Sequence, residues 1–449
     1  MVDVEESAGR GLPLGALAVA IDTTVDEGGR WYAPTRTLEL VCLDLCLACR
    51  SNWNVPPRRV EVTPDTPRRL WLRGPSPGDS RVPRLPVRAV TVARWPEGVL
   101  ERLSEGQRIA AEKTAREGGD FTRRVSRVRP SPLWWSDALQ QLSFGNEFNQ
   151  PITEVVWPAS LQQLSFGNGF NQSLIGVAWP ASLWQLSFGC AYNQPIVGVM
   201  WPASLQQLSF GYCFNQSITK VVWPASLQQL SFGLYFNQPM VGVAWPAYLQ
   251  QLSFGFFFNQ SVVGVAWPAS LRQLSFGNEI NQPIVGVMWP ASLQKLSFGK
   301  MFNQSVVGVA WPSSLQQLSL GLNFNQPIPG VAWPTSLQQL SFGLYFNQPM
   351  VGVAWPASLQ KLSLSWQFNQ PIAGVMWPAF LKELSFGNKF NQPIAGVVWP
   401  GFLKELSFGN EFNQPIIGVM WPASLHQLSF AGDFNQSLVG VAWPPFLQQ

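Results

Sequence analysis

From Leu139 to Phe446 the chain repeats itself every 22 residues, fourteen times, without an insertion or deletion. The first copy, Leu139 to Ser160, reads LQQLSFGNEFNQPITEVVWPAS. A fixed period of this length is the signature of a solenoid, in which each copy forms one coil that stacks on the next. One coil alone buries too little apolar surface to offset the cost of ordering it, so the copies are stable only as a stack. Chain length therefore sets no domain count, because a stack grows along one axis.

The local pattern says what a coil is made of. Leu142-Ser143-Phe144 alternates inward, outward, inward, which is the period of a short strand. Gly145 permits a turn. Pro151 holds Gln150 extended, and Trp157-Pro158 bends the chain back toward the next leucine. No stretch of the unit carries helical periodicity. The expected fold is a β-rich solenoid with one short parallel strand per coil and an extended, turn-like or 3₁₀ return side. Leu139, Leu142, Phe144, Phe148, Ile152, Val155 and Trp157 are expected to build its interior.

One asparagine is the same in every copy: Asn149, Asn171, Asn193, Asn215, Asn237, Asn259, Asn281, Asn303, Asn325, Asn347, Asn369, Asn391, Asn413 and Asn435. The glutamine after it is also constant. The asparagine is expected to point inward and bond backbone groups that the turn leaves unpaired, since an unpaired buried polar group costs about 1–3 kcal/mol. Such a ladder would tie each coil to the next.

Three elements are together characteristic: Phe-Asn-Gln-Pro-Ile (Phe148–Ile152), Trp-Pro-x-Ser-Leu (Trp157–Leu161) and Leu-x-Phe-Gly (Leu142–Gly145). They resemble the FNIP repeat, a family within the wider leucine-rich-repeat group, over residues 139–449. The chain departs from that pattern with Gln where the family name has Ile, and with Trp before the junction proline. Five copies replace the core proline by serine: Ser173, Ser217, Ser261, Ser305 and Ser437. The resemblance implies a leucine-rich-repeat-like solenoid used for protein–protein interaction, with no catalytic residues to transfer.

The N-terminal third is different in kind. Residues 1–138 hold 39 of the 54 charged residues. Residues 1–89 are rich in arginine and proline and read as irregular or partly disordered. Residues 90–138 read as a degenerate N-terminal cap, with a helix from about Pro96 to Arg116 and worn echoes of the unit around Trp95 and Leu100. At the other end, Leu447-Gln448-Gln449 opens a fifteenth copy. That end reads as a fragment of a longer array.

Most chemistry is excluded on residue types. Cys42, Cys46 and Cys49 have a spacing similar to the iron–sulfur motif of radical S-adenosylmethionine enzymes, but residues 50–138 could not build the barrel such enzymes need. His426 is the only histidine and has no carboxylate partner for a triad or metal site. No catalytic residue, metal or cofactor is expected. Cys190 and Cys213 read as free thiols. The Asn-Gln-Ser sequons at Asn171, Asn215, Asn259, Asn303 and Asn435 are expected to stay unmodified because those asparagines point inward. The array is nearly neutral, which argues against a nucleic-acid partner. Leu12–Ile21 is too short to span a bilayer and too acidic in its flank for a signal peptide, so the expected compartment is the cytoplasm.

In a near-identical array the informative residues are those that differ. The two residues after each turn glycine vary most, and the middle copies carry Tyr212, Leu234, Tyr235, Phe256, Phe257, Met301, Leu344, Tyr345 and Trp366 there. They are expected to form an exposed stripe that binds a protein partner of unknown identity. Two other readings compete: an extracellular carbohydrate-binding or adhesion module using the stripe and the Gln/Ser face, and a structural rod. The array is expected to be monomeric, with end-to-end association available through its uncapped C-terminal coil. The Gln pair before each strand, which becomes Lys382-Glu383 and Lys404-Glu405 late in the array, is read as serving solubility. Copies five and ten differ only in their last residue, Tyr248 against Ser358, which points to block duplication.

Overall fold

A computed structural model describes residues 139–448 and, before them, the backbone of four short strands. Among the described residues there is no helix. β1 (Thr24–Val25) and β2 (Trp31–Tyr32) pair antiparallel. The helix expected near Pro96–Arg116 and the cysteines at 42, 46 and 49 lie outside the described residues. The chain divides into two compact units, one of residues 1–194 and 199–205, the other of 195–198 and 206–449.

In the first unit β3 (Arg59–Val62), β4 (Ala89–Val92), β5 (Gln141–Phe144), β6 (Gln163–Ser165) and β7 (Gln185–Ser187) pair in parallel in that order. Val90 lies opposite Leu142 and Val92 opposite Phe144. Ala89–Val92 is therefore the strand that pairs with the first coil.

In the second unit the same rung recurs as β8 (Gln207–Ser209), β9 (Gln229–Ser231), β10 (Gln251–Ser253), β11 (Gln273–Ser275), β12 (Lys295–Ser297) and β13 (Gln317–Ser319). It continues as β14 (Gln339–Ser341), β15 (Lys361–Ser363), β16 (Glu383–Ser385), β17 (Glu405–Ser407) and β18 (Gln427–Ser429). From β8 to β18 consecutive rungs of this unit pair in parallel, Leu opposite Leu and Ser opposite Ser. The strictly constant period keeps this register: an inserted residue would move every later side chain to the wrong face.

Three turns close each coil. In the second copy they are Phe170 N–H to Gly167 O (3.3 Å), Val177 N–H to Leu174 O (3.2 Å) and Leu183 N–H to Pro180 O (3.1 Å). In twelve coils the middle turn carries a glycine with positive φ, as Gly176 at 82°, whereas Glu154 and Lys220 stand there in the first and fourth copies without it. The return side is thus a chain of turns.

The interior is a set of stacked columns. Leu139, Leu142, Phe144, Phe148, Ile152 and Trp157 are buried, and Val155 is half-buried in this first copy, as is Val441 in the last, although the equivalents from Val177 to Val419 are buried. Within a coil the two phenylalanines stack at 4.0 Å, as in Phe210 with Phe214, and each meets its equivalent on the next coil at 5.8–6.0 Å. The tryptophans form a parallel column at 6.1–6.4 Å. The core is continuous from coil to coil because no single coil encloses one.

Candidate functional site

The site follows from a steric constraint at the strand exit. A Cβ on Gly277 would sit 1.6 Å from the carbonyl oxygen of Gly255, and one on Gly343 would sit 1.9 Å from that of Gly321. A side chain enters there only if the neighbouring backbone shifts, so glycine is the usual residue and the chain turns outward. In two coils the glycine is replaced, by Ala431 and by Ser365, which is buried and donates its hydroxyl to Phe346 O at 2.5 Å.

The two residues after this glycine form the tip of the turn. The tips are joined by their own backbone ladder: Tyr235 N–H to Tyr212 O (2.8 Å), Phe257 to Leu234 (2.9 Å), Tyr345 to Leu322 (2.9 Å) and Gln367 to Leu344 (3.0 Å). The side chains they carry therefore stand in a fixed row with one-coil spacing. Tyr212, Tyr235, Phe257, Met301, Tyr345 and Trp366 are exposed, while Leu234, Phe256 and Leu344 are half-buried. Tyr235 and Phe257 stack at 5.1 Å, and Phe256 meets Phe257 edge-on at 4.9 Å. The row falls into two groups, Tyr212 to Phe257 and Met301 to Trp366, separated by Asn278 and Glu279. Leu322, also exposed, belongs to the second group.

Beside the second group lies a groove of about 400 Å³ on the outer face of β11 to β15. Its floor is made of outward Gln and Ser side chains together with Lys295 and Lys361. Lys361 pairs with Glu383 at 2.5 Å, and that hydrogen bond and charge raise its pKa above the usual lysine value.

The asparagine ladder corrects one expectation. Asn149 to Asn435 do not point inward; all fourteen are half-buried or exposed. Phe148 and Ile152 fill the interior on either side of the first, and the residues between them swing outward. An amide needs a partner, not burial, and it finds one along the surface. Asn281 Oδ1 accepts the Asn303 N–H at 2.9 Å and Gln304 Nε2 at 3.1 Å, so Asn and Gln act as a pair across the coil junction. Burial therefore does not shield the sequons at Asn259 and Asn435, which are exposed.

Sequence reasoning also missed an exposed set at the coil's last residue. That residue is usually a serine whose hydroxyl donates to the carbonyl of the leucine opening its own coil, as Ser292 does to Leu271 at 2.7 Å. Tyr248, Phe380, Phe402 and Phe446 replace it and are exposed, and Phe380 stacks on Phe402 at 5.4 Å. The signal was present as a break in an otherwise constant serine. The residue before each tryptophan is a second case: Met288, Met376 and Met420 are 78–84 % exposed there.

Among the described residues no group of histidine, cysteine or acidic side chains could hold a metal ion. Cys190 is half-buried and Cys213 exposed, both as free thiols. His426 Nδ1 lies 2.6 Å from Ser424 O, a local backbone contact. Among the described residues no helix is long and apolar enough to cross a membrane.

The family model described as the FNIP Repeat matches in nine stretches, the last five of them overlapping: 134–169, 170–213, 214–257, 258–301, 302–345, 324–367, 346–389, 368–411 and 390–433. No curated protein matches the chain. Among solved structures, CroV588, described as a novel circular LRR protein, is similar with 38 % identity and a TM-score of 0.53 over 69 % of this chain. The chain spans about half of that protein's length (52 %). YopM from Yersinia enterocolitica matches at 14 % identity and TM-score 0.30, covering 67 % of this chain and 87 % of YopM. The internalin inlF from Listeria monocytogenes matches at 14 % and 0.35, covering 69 % of this chain and 79 % of the internalin. Leucine-rich-repeat-like solenoids are commonly used for protein–protein interaction, and such families are generally non-catalytic. With its matched stretches running from residue 134 to 433, the chain belongs to the FNIP repeat family.

Proposed function

We propose that the chain is a non-catalytic scaffold that binds a protein partner through the strand-exit row. The observation that carries this reading is the coexistence of a rigid backbone ladder with variable, exposed aromatic side chains at the same turn tips. A loop that merely drifts has no need of a fixed backbone, and large aromatic side chains are costly to expose unless they meet a partner. The pre-ordered row also lowers the entropy lost on binding. The two free thiols, Cys190 and Cys213, suit a reducing compartment such as the cytoplasm.

The test replaces Tyr235, Phe257, Tyr345 and Trp366 by serine together in the full chain. Affinity capture with the parent chain should retain a specific protein that the variant loses, with the melting temperature unchanged. Equal capture by both would remove the row as the binding surface.

A further inference from the structure

Resting on that reading, we infer that copies eight to eleven, Leu293–Phe380, form a docking site for an acidic amphipathic helix. The first observation is charge. Copies eight to eleven carry Lys295, Lys300 and Lys361 and no acidic residue. The rest of residues 206–449 holds five basic and five acidic side chains, so the net positive charge of that unit resides in these four coils, chiefly at Lys295 and Lys300 because Lys361 is paired with Glu383 of the next coil. Lys295 and Lys300 are exposed, one on the groove floor and one on the turn tip beside Met301.

The second observation is the arrangement of polar and apolar surface. The groove floor on β12 to β15 is Gln, Ser and Lys. The tips of the same four coils carry Met301, Leu322, Tyr345 and Trp366, each 38–49 % exposed. An apolar row therefore runs beside a basic, hydrogen-bonding floor. A partner that covers both must itself be apolar on one side and acidic on the other. On either side of these coils the tips turn polar, with Asn278 and Glu279 before them and the Lys389–Glu411 ion pair after them.

Spacing selects the kind of partner. Rungs of a parallel sheet repeat at about 4.8 Å, whereas same-face residues on an extended strand repeat at about 6.6 Å. A helix presents a side chain on one face about every 5.4 Å. Over the three intervals between four coils a helix slips by about 2 Å, and a strand by about 5 Å, a full rung. Only the helix keeps its apolar side chains in step with all four tips. This is the helix-in-groove mode of recognition, with charge giving orientation and encounter rate.

The experiment pans an unbiased display library of random peptides of about 20 residues, long enough for helix formation, against the full chain. Enriched peptides should share apolar residues at helical spacing with Asp or Glu flanking them, and should become helical on binding. Their affinity should fall at least about tenfold when Lys295→Glu and Lys300→Glu are combined, and likewise for Tyr345→Ser with Trp366→Ser. Val222→Ser, on the exposed return face of another coil, should change it by less than about twofold. No enrichment, enrichment of proline-rich or basic peptides, or binding indifferent to the two lysines would overturn the inference. If protein capture still depends on the row in that event, the scaffold reading stands and only the helix is wrong; if capture is also indifferent, both fall.

Discussion

The two halves of each coil obey different rules. From residue 221 onward every charged side chain lies either in the pair before the strand leucine or in the pair after the turn glycine. Over the same stretch the return half, from the second phenylalanine to the last residue, carries none; Glu154 and Lys220 stand there only in earlier copies. Yet much of that half is solvent-facing: Val222, Met288, Met376, Val398 and Met420 are 78–84 % exposed. Exposure alone therefore does not free a position to vary. On the return half the backbone is a series of tight turns, pinned by positive-φ glycines and by the Asn–Gln bonds from coil to coil. On the strand half a regular ladder carries the backbone, and its outward side chains, the constant strand serine aside, can change without loss of a backbone bond.

The contrast can be broken in several ways, beginning with the largest effect. Phe302 opens the return half, fully buried between Phe298 and Phe324. Phe302→Ala should cost about 3–5 kcal/mol and lower the urea midpoint. Asn281→Ala, on the surface of the same half, leaves the Asn303 N–H and Gln304 Nε2 without their acceptor and should cost about 1–2 kcal/mol. Gln282→Ala removes a single donor to Asn259 and should cost less than about 1 kcal/mol. Equal losses for the two would show that the amides do not act as drawn.

Trp289→Phe sharpens the picture inside the core. The indole N–H there is buried and has no hydrogen-bond partner among the described residues, so its removal forfeits packing area but no bond to them. We expect a loss below about 1.5 kcal/mol by thermal melting, far less than for Phe302→Ala. Tyr345→Ser on the strand half should stay within about 0.5 kcal/mol of the parent. Met376→Lys on the return half should do the same, since the side chain stands in water. A loss of several kcal/mol from Met376→Lys would show that the return face is held apolar by folding itself.

The smallest effect is electrostatic. Glu383 raises the pKa of Lys361 in the folded chain, so the pair contributes below the ordinary lysine pKa. That contribution disappears as pH climbs through the raised value. Both side chains are partly exposed, so screening holds it to a few tenths of a kcal/mol. Lys361→Gln should abolish this component of the alkaline titration and leave the neutral melting temperature almost unchanged.

Particular residues show how far the chain could be read before its structure. Leu142-Ser143-Phe144 announced a strand, and β5 spans Gln141–Phe144. Gly145 and Pro158 announced two of the three corners; the third, at Gly176 and its equivalents, was overlooked because a lone glycine among valines carries little local signal. The variable residues after the glycine were visible as a break in repetition. Their division into two groups, and the groove beside one of them, was not, because it depends on how consecutive strands lie side by side.

The repeat alone determined the parallel in-register stack, since 22 residues must return the chain to the same place fourteen times, and it determined which side chains form the columns. Only the tertiary structure decided where the amides point. Asn149 has the same local sequence whether its side chain turns inward or outward. What settles the matter is the coil on its open side, whose Asn171 N–H lies 2.9 Å from Asn149 Oδ1, at a distance of 22 residues along the chain. The same holds for the site. Lys295, Tyr345 and Trp366 belong to copies eight, ten and eleven, so the proposed surface depends on how coils stack and exists in no single repeat.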